Sequence, residues 1–95
     1  MSDPKSEAQA ALSKSEDIRG VYEHRKGGTY VAYSVTLNEK TLRPMVHYRS
    51  IERGSGWSRT MEEWTEQVEG RPRFWRLRAA TRKELMWAAG IEDET

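Results

Sequence analysis

The residues of this chain that could do chemistry are aromatic and basic, and they lie close together. Tyr22, His24, Lys26 and Tyr30 fall in one short stretch, and Arg49, Trp57 and Arg59 follow downstream. Aromatic faces stack on bases, and Arg or Lys neutralise phosphates. A β-surface carrying both is suited to single-stranded nucleic acid or a nucleotide. Some of the aromatics must instead fill the core, and Tyr22, Tyr48 and Trp64 are expected to be mainly structural. Lys26-Gly27-Gly28 reads first as a hairpin tip and second as an anion cradle of exposed amides beside an ammonium.

A second basic group, Arg71, Arg73, Arg76 and Arg78, is followed by Arg82 and Lys83 at a helix start. Cations there oppose the helix dipole, so they are either solvated and partly paired with Glu62 to Glu69 or placed near a phosphate. Trp87 falls nearly opposite Leu85 on a helical wheel. It is therefore expected half exposed, as a surface for a protein partner or a homodimer.

Catalytic motifs are missing from the sequence. It holds no Cys, no Gly-x-Ser-x-Gly elbow, no phosphate-binding glycine loop ending in Lys-Ser/Thr and no dinucleotide fingerprint. His24 and His47 stand in no metal-ligand spacing, so neither a metal nor a cofactor is expected. His24 reads as a hydrogen-bonding strand end or a ligand contact, and His47 as a surface residue.

The elements that must position these residues are short. The 95 residues, 36% of them hydrophobic, suit one domain with a thin core. Four Trp, four Tyr and one Phe substitute for missing aliphatics. The net charge of +1 is an average, because residues 18–83 hold fourteen basic and seven acidic side chains between acidic ends. No apolar run is long enough to cross a bilayer, so no membrane partner is expected, and the lack of cysteine is compatible with a cytoplasmic location.

Residues 1–16 are too polar to offset the entropy of ordering them and are expected disordered or loosely helical, with residues 17–95 forming the domain. From Ile18 the period is two. Strands are expected from Ile18 to Glu23, from Thr29 to Leu37 with Val31, Tyr33, Val35 and Leu37 facing the core, from Met45 to Ile51 and from Trp57 to Arg59. Thr60-Met61-Glu62-Glu63 and Thr81-Arg82-Lys83-Glu84 both read as capping boxes. The first opens a helix expected to reach Gly70, with Met61, Trp64 and Val68 on one side. The second runs to Gly90 with Leu85 and Ala89 inward and ends in a Schellman motif. Arg71 to Leu77 reads as an edge strand after a proline. The expected fold is mainly β (α+β): a small SH3-like, partly open barrel of about five short strands, with a short helix after the fourth and a C-terminal helix.

Read in order, Gly20-x-Tyr22-x-His24-x-Lys26-Gly27-x-x-Tyr30, Met45-Val46-x-Tyr48-Arg49, Trp57-x-Arg59-x-Met61-Glu62-x-Trp64 and Pro72-Arg73-Phe74 resemble a bacterial and phage family, the domain of unknown function numbered 1653. The resemblance implies a small, mainly β domain and no particular reaction. The chain departs from the family pattern at Ser50-Ile51-Glu52-Arg53 and at Thr60.

The expected function is a non-enzymatic binding module for an anionic ligand, nucleic acid or a nucleotide ahead of an acidic peptide. A protein-interaction or assembly role is the alternative. The minor alternative is an enzyme on a nucleotide-like metabolite, with His24 and a carboxylate in a pocket.

Overall fold

The computed structural model describes residues 18–91, so the polar N-terminal segment lies outside the described residues. Alternation in the sequence becomes strand in each region where it was read, but the Arg71–Leu77 run, expected as one edge strand, breaks at Arg73 and is shared between two sheets. The strands are β1 (Gly20–His24), β2 (Thr29–Leu37), β3 (Pro44–Ser50) and β4 (Gly56–Thr60), followed by a one-turn helix, α1 (Met61–Trp64). After it come β5 (Gln67–Val68), β6 (Arg71–Pro72), β7 (Phe74–Arg78) and a second helix, α2 (Arg82–Ala88). The main sheet has five antiparallel strands in the order β4-β3-β2-β1-β7 and stays open, with β4 and β7 as its edges; β5 and β6 form a separate hairpin.

The β1–β2 turn depends on its glycines. Gly27 and Gly28 sit at φ of 96° and 91°, a region closed to most side chains. His24 N–H donates to Gly28 O (3.0 Å) and Gly27 N–H to His24 O (2.8 Å), closing the loop.

β2 corrects the expected alternation. Ala32 pairs with Tyr48 but Ser34 pairs with His47, so one residue of β2, Tyr33, is bulged out of register with β3. Before the bulge, Tyr30 and Ala32 share a face; after it, Val35 joins them. Tyr22, Ala32, Val35, Val46, Tyr48, Trp64 and Phe74 thus form one core, backed by Ile18, Tyr30 and Met61. Val21, Val31 and Ala88 form a second core on the opposite face, backed by Tyr33, Ala80 and Leu85. Of the run Val31, Tyr33, Val35, Leu37, the first two therefore go to one core and Val35 to the other, while Leu37 is half-buried and belongs to neither.

The first helix is also shorter than its pattern suggested. Thr60 caps it, accepting from Glu63 N–H at 3.1 Å, but the Glu63 carboxylate turns to Arg59 at 3.6 Å instead of completing the box. Thr65 bonds back to the Met61 carbonyl through both its hydroxyl (2.9 Å) and its amide (3.0 Å), and α1 ends there. Glu69 and Gly70, at φ of 55° and 78°, then make the two-residue turn of the β5–β6 hairpin. Val68 is consequently a strand residue and not part of a helical stripe.

In α2 the local signals are complete. Thr81 accepts from Glu84 N–H (3.1 Å) while Glu84 accepts from Thr81 N–H (2.9 Å). At the other end Ile91 N–H reaches Met86 O (2.9 Å) and Gly90 N–H reaches Trp87 O (3.0 Å), the paired bonds of a Schellman ending, with Gly90 at φ of 76°. The residue buried with Leu85 is Ala88, one position before the Ala89 expected, because Ala89 is already the cap.

Candidate functional site

Strand register collects one group of side chains at the end of the sheet where the β1–β2 hairpin turns. His24 lies opposite Phe74 on β7, Tyr22 opposite Tyr30, and Tyr48 between Ala32 and Trp57. Because side chains alternate across strands, His24, Tyr30, Tyr48, Trp57 and Phe74 come to one face of the sheet. Arg59, two residues beyond Trp57 on β4, joins them.

Their rings meet edge to face, the arrangement favoured by the aromatic quadrupole. His24 is 4.8 Å from Phe74, Tyr30 5.5 Å from Tyr48, and Tyr48 5.4 Å from Phe74, centroid to centroid. Beneath them Trp64 stacks on Phe74 at 4.0 Å. Above this floor His24, Tyr30, Tyr48, Trp57, Arg59 and Phe74 enclose a hollow of about 210 Å³. A second hollow of about 560 Å³ shares His24 and Tyr30 as a common wall and is completed by Lys26, Gly27, Gly28, Ser50, Glu52 and Arg53. The first is the smaller and is aromatic; the second is wider and polar.

The electrostatics of this cleft are positive. Burial holds the His24 imidazole below its ordinary value of 6.5, and Arg59, Arg73, Arg25 and Lys26 push it further in the same direction. His24 is therefore neutral at neutral pH; three of these cations, Arg25, Arg59 and Arg73, are also paired with Glu69, Glu63 and Glu66 at 3.5, 3.6 and 3.2 Å. Its Nδ1 accepts from Lys26 N–H at 3.1 Å. Arg59 Nε donates to the Tyr48 hydroxyl at 2.9 Å and its guanidinium lies 5.9 Å from the Phe74 centroid. Burial, the largest influence, raises the Tyr48 phenol. Among the described residues Glu52 is the one carboxylate in the wall of the two hollows, and it is already engaged: both its oxygens accept from Thr29 N–H at 3.1 Å, and the Thr29 hydroxyl bonds it too. Those bonds hold its carboxyl below the ordinary range.

The structure brings His24, Lys26, Tyr30, Trp57 and Arg59 together and leaves two of the predicted set elsewhere. Tyr22 is buried in the first core, its hydroxyl donating to Ile18 O at 2.7 Å. Arg49 lies on the opposite face, 4.4 Å under the Trp87 ring, donating to Trp87 O and Gly54 O at 2.7 Å each. The second basic group does not form one patch. Arg73 pairs with Glu66 (3.2 Å), Arg78 makes a bidentate bridge to Glu84 (2.7 Å for each bond), and Arg76 reaches back to Arg19 O (3.3 Å) across Gly20. Arg71 sits on the β5–β6 hairpin, and Arg82 and Lys83 open α2. Trp87 is 38% exposed, as its wheel position suggested, and borders an apolar hollow with Val31, Ile51, Lys83 and Glu84.

Sequence reasoning missed Phe74, Ser50, Glu52 and Arg53 as walls of the cleft, and read Tyr48 as mainly structural. Phe74 carried a signal, since it ends the Pro72-Arg73-Phe74 motif. Ser50 to Arg53 carried none beyond being a turn. Among the described residues no cluster of His, Asp or Glu is placed to hold a metal ion, and no helix is long and apolar enough to cross a membrane.

The family model described as protein of unknown function (DUF1653) matches residues 20–76, every strand from β1 to β6 and the first half of β7. The chain belongs to the DUF1653 family. A crystal structure of a DUF1653 protein from Bordetella bronchiseptica is similar to it at 27% identity and a TM-score of 0.59, over 66% of this chain and 90% of that one. No curated protein matches the chain. All the residues of the two-part cleft lie inside the DUF1653 match, while α2 and Trp87 lie outside it.

Proposed function

We propose that the chain is a non-enzymatic binding module that takes an anionic ligand carrying a flat ring, single-stranded nucleic acid or a nucleotide, in the two-part cleft. The observation that carries this reading is the common wall. A ring seated in the aromatic hollow is next to a wider hollow bordered by Lys26, Arg53 and the Gly27-Gly28 turn. Ligand pockets commonly run from about 300 to 1,000 Å³, so the smaller hollow suits a ring alone and the wider one the sugar and phosphate. The exposed face of Trp57 offers a stacking platform at the entrance. An ammonium, the other frequent guest of aromatic cages, is disfavoured by the cations that already depress His24.

Among the described residues a catalytic role lacks a partner for the imidazole. The one carboxylate of the cleft is held by Thr29, and His24 Nδ1 is occupied by a backbone amide. Titration with short single- and double-stranded oligonucleotides at two salt concentrations tests the proposal. Single strands should bind, and more weakly as salt rises. An absence of binding at low salt and tens of micromolar protein overturns it. A bound phosphate should also raise the His24 pKa, which NMR titration of the imidazole reads directly.

A further inference from the structure

The aromatic hollow has a hydrogen-bonding polarity of its own. Lys26 N–H donates to His24 Nδ1, so the neutral imidazole carries its proton on Nε2 and can only donate from there. The Tyr48 hydroxyl already accepts from Arg59 Nε, which leaves its own hydrogen to be given away. Arg59 can only donate. The indole N–H of Trp57 is directed to Ser55 Oγ at 3.1 Å. The Tyr30 hydroxyl, the lining group most free to accept, lies toward Gly28 on the side of the wider hollow, where a side chain at Gly28 would stand 3.5 Å from it. No carboxylate or carboxamide lines the aromatic hollow among the described residues.

From this we infer that the hollow selects rings bearing carbonyl oxygens, uracil-like bases, over rings bearing amino groups in the same place, cytosine-like ones. An oxo group meets the Tyr48 and His24 hydrogens. An amino group meets other donors and loses its hydration without replacement. The inference rests on the nucleic-acid reading of the cleft and adds to it which base the cleft prefers.

Deoxyuridine and deoxycytidine oligomers of equal length test it, because they share size, sugar and phosphate charge and differ only at position 4, oxo or amino, and at the adjacent N3, which carries a hydrogen in uracil and a lone pair in cytosine. Each is titrated into the full chain at neutral pH and one low ionic strength, followed by tryptophan fluorescence. The deoxyuridine oligomer should bind roughly three- to tenfold more tightly, the worth of one buried hydrogen bond made against one left unmade. Tyr48→Phe, with folding checked by circular dichroism, should reduce that ratio toward one by weakening the deoxyuridine oligomer alone. Equal affinities for the wild type overturn the oxo preference while leaving the cleft a nucleic-acid site. A preference unchanged in Tyr48→Phe overturns the assignment to that hydroxyl, and the absence of binding by either oligomer overturns the underlying reading itself. The wild-type comparison decides the preference even if the Phe variant does not fold.

Discussion

The two faces of the sheet are built from different materials. One is packed by large rings, with Trp64, Phe74, Tyr48 and Tyr22 in mutual contact at centroid separations from 4.0 to 5.4 Å. The other is packed by Val21, Val31 and Ala88 beneath a helix of seven residues. Rigid rings cannot close every gap between them, and the unfilled rim of the aromatic face is where the two hollows lie. The helix face has a hollow too, about 380 Å³ beside Val31 and Trp87, but it is lined by aliphatic and charged side chains with a single aromatic ring. A core short of aliphatics therefore left a concave, aromatic-walled site as a by-product of its own packing.

That contrast can be broken most severely at Trp64, which is 3% exposed. Trp64→Ala should cost about 3–5 kcal/mol, a large share of what a domain this size has, and urea denaturation should show it mostly unfolded or shifted far toward low denaturant. Trp57 belongs to the same face but is 57% exposed. Trp57→Ala should leave the urea midpoint nearly unchanged and weaken oligonucleotide binding by about 1–3 kcal/mol, the range for a single base-stacking ring. A matching loss of stability would mean that the rim and the core are not separable. On the helix face, Leu85→Ala should cost about 1–2 kcal/mol because the side chain is only partly buried.

Thr81→Ala removes one bond of the capping box and should cost about 1 kcal/mol, seen as faster amide exchange in α2 with the sheet unaffected. The smallest effect concerns acid. The bridge to Arg78, helped by Thr81 N–H, holds Glu84 at about 2 against an ordinary 4.5. A carboxylate depressed in the folded state stabilises fully above the unfolded value and loses that contribution as pH falls from 4.5 toward 2. Glu84→Gln should flatten this acid limb and leave binding at the opposite face as it was.

How much of this was legible in the residues depends on the range of the interaction involved. Capping at Thr81 and the Schellman ending at Gly90 use bonds within a few residues, and both were readable. The strands were readable too, because turn glycines and alternation act locally. The end of α1 was not, since a Thr65 back-bond and the Glu69-Gly70 turn outweighed an amphipathic stripe that looked helical. The site was half legible. His24, Lys26, Tyr30, Trp57 and Arg59 share a cleft as their types suggested, but the face on which Arg49 lies and the arrival of Phe74 beside His24 depend on cross-strand register. The β1–β7 register joins segments far apart in the chain, with no hairpin turn between them to fix it.

The bulge at Tyr33 makes the pleat of β2 behave like a reading frame with one programmed shift. Everything before it, Tyr30 and Ala32 included, is assigned to a face by one phase, and everything after it by the other. Deleting the extra residue would leave Val35 opposite Val46 in the aromatic core, whereas strict alternation with every residue kept would turn Val35 to the other face. The same deletion in the Asn38–Arg43 loop would move no side chain across the sheet. The side chains that follow Tyr33 thus owe their face to the bulge and not to the count of residues in β2.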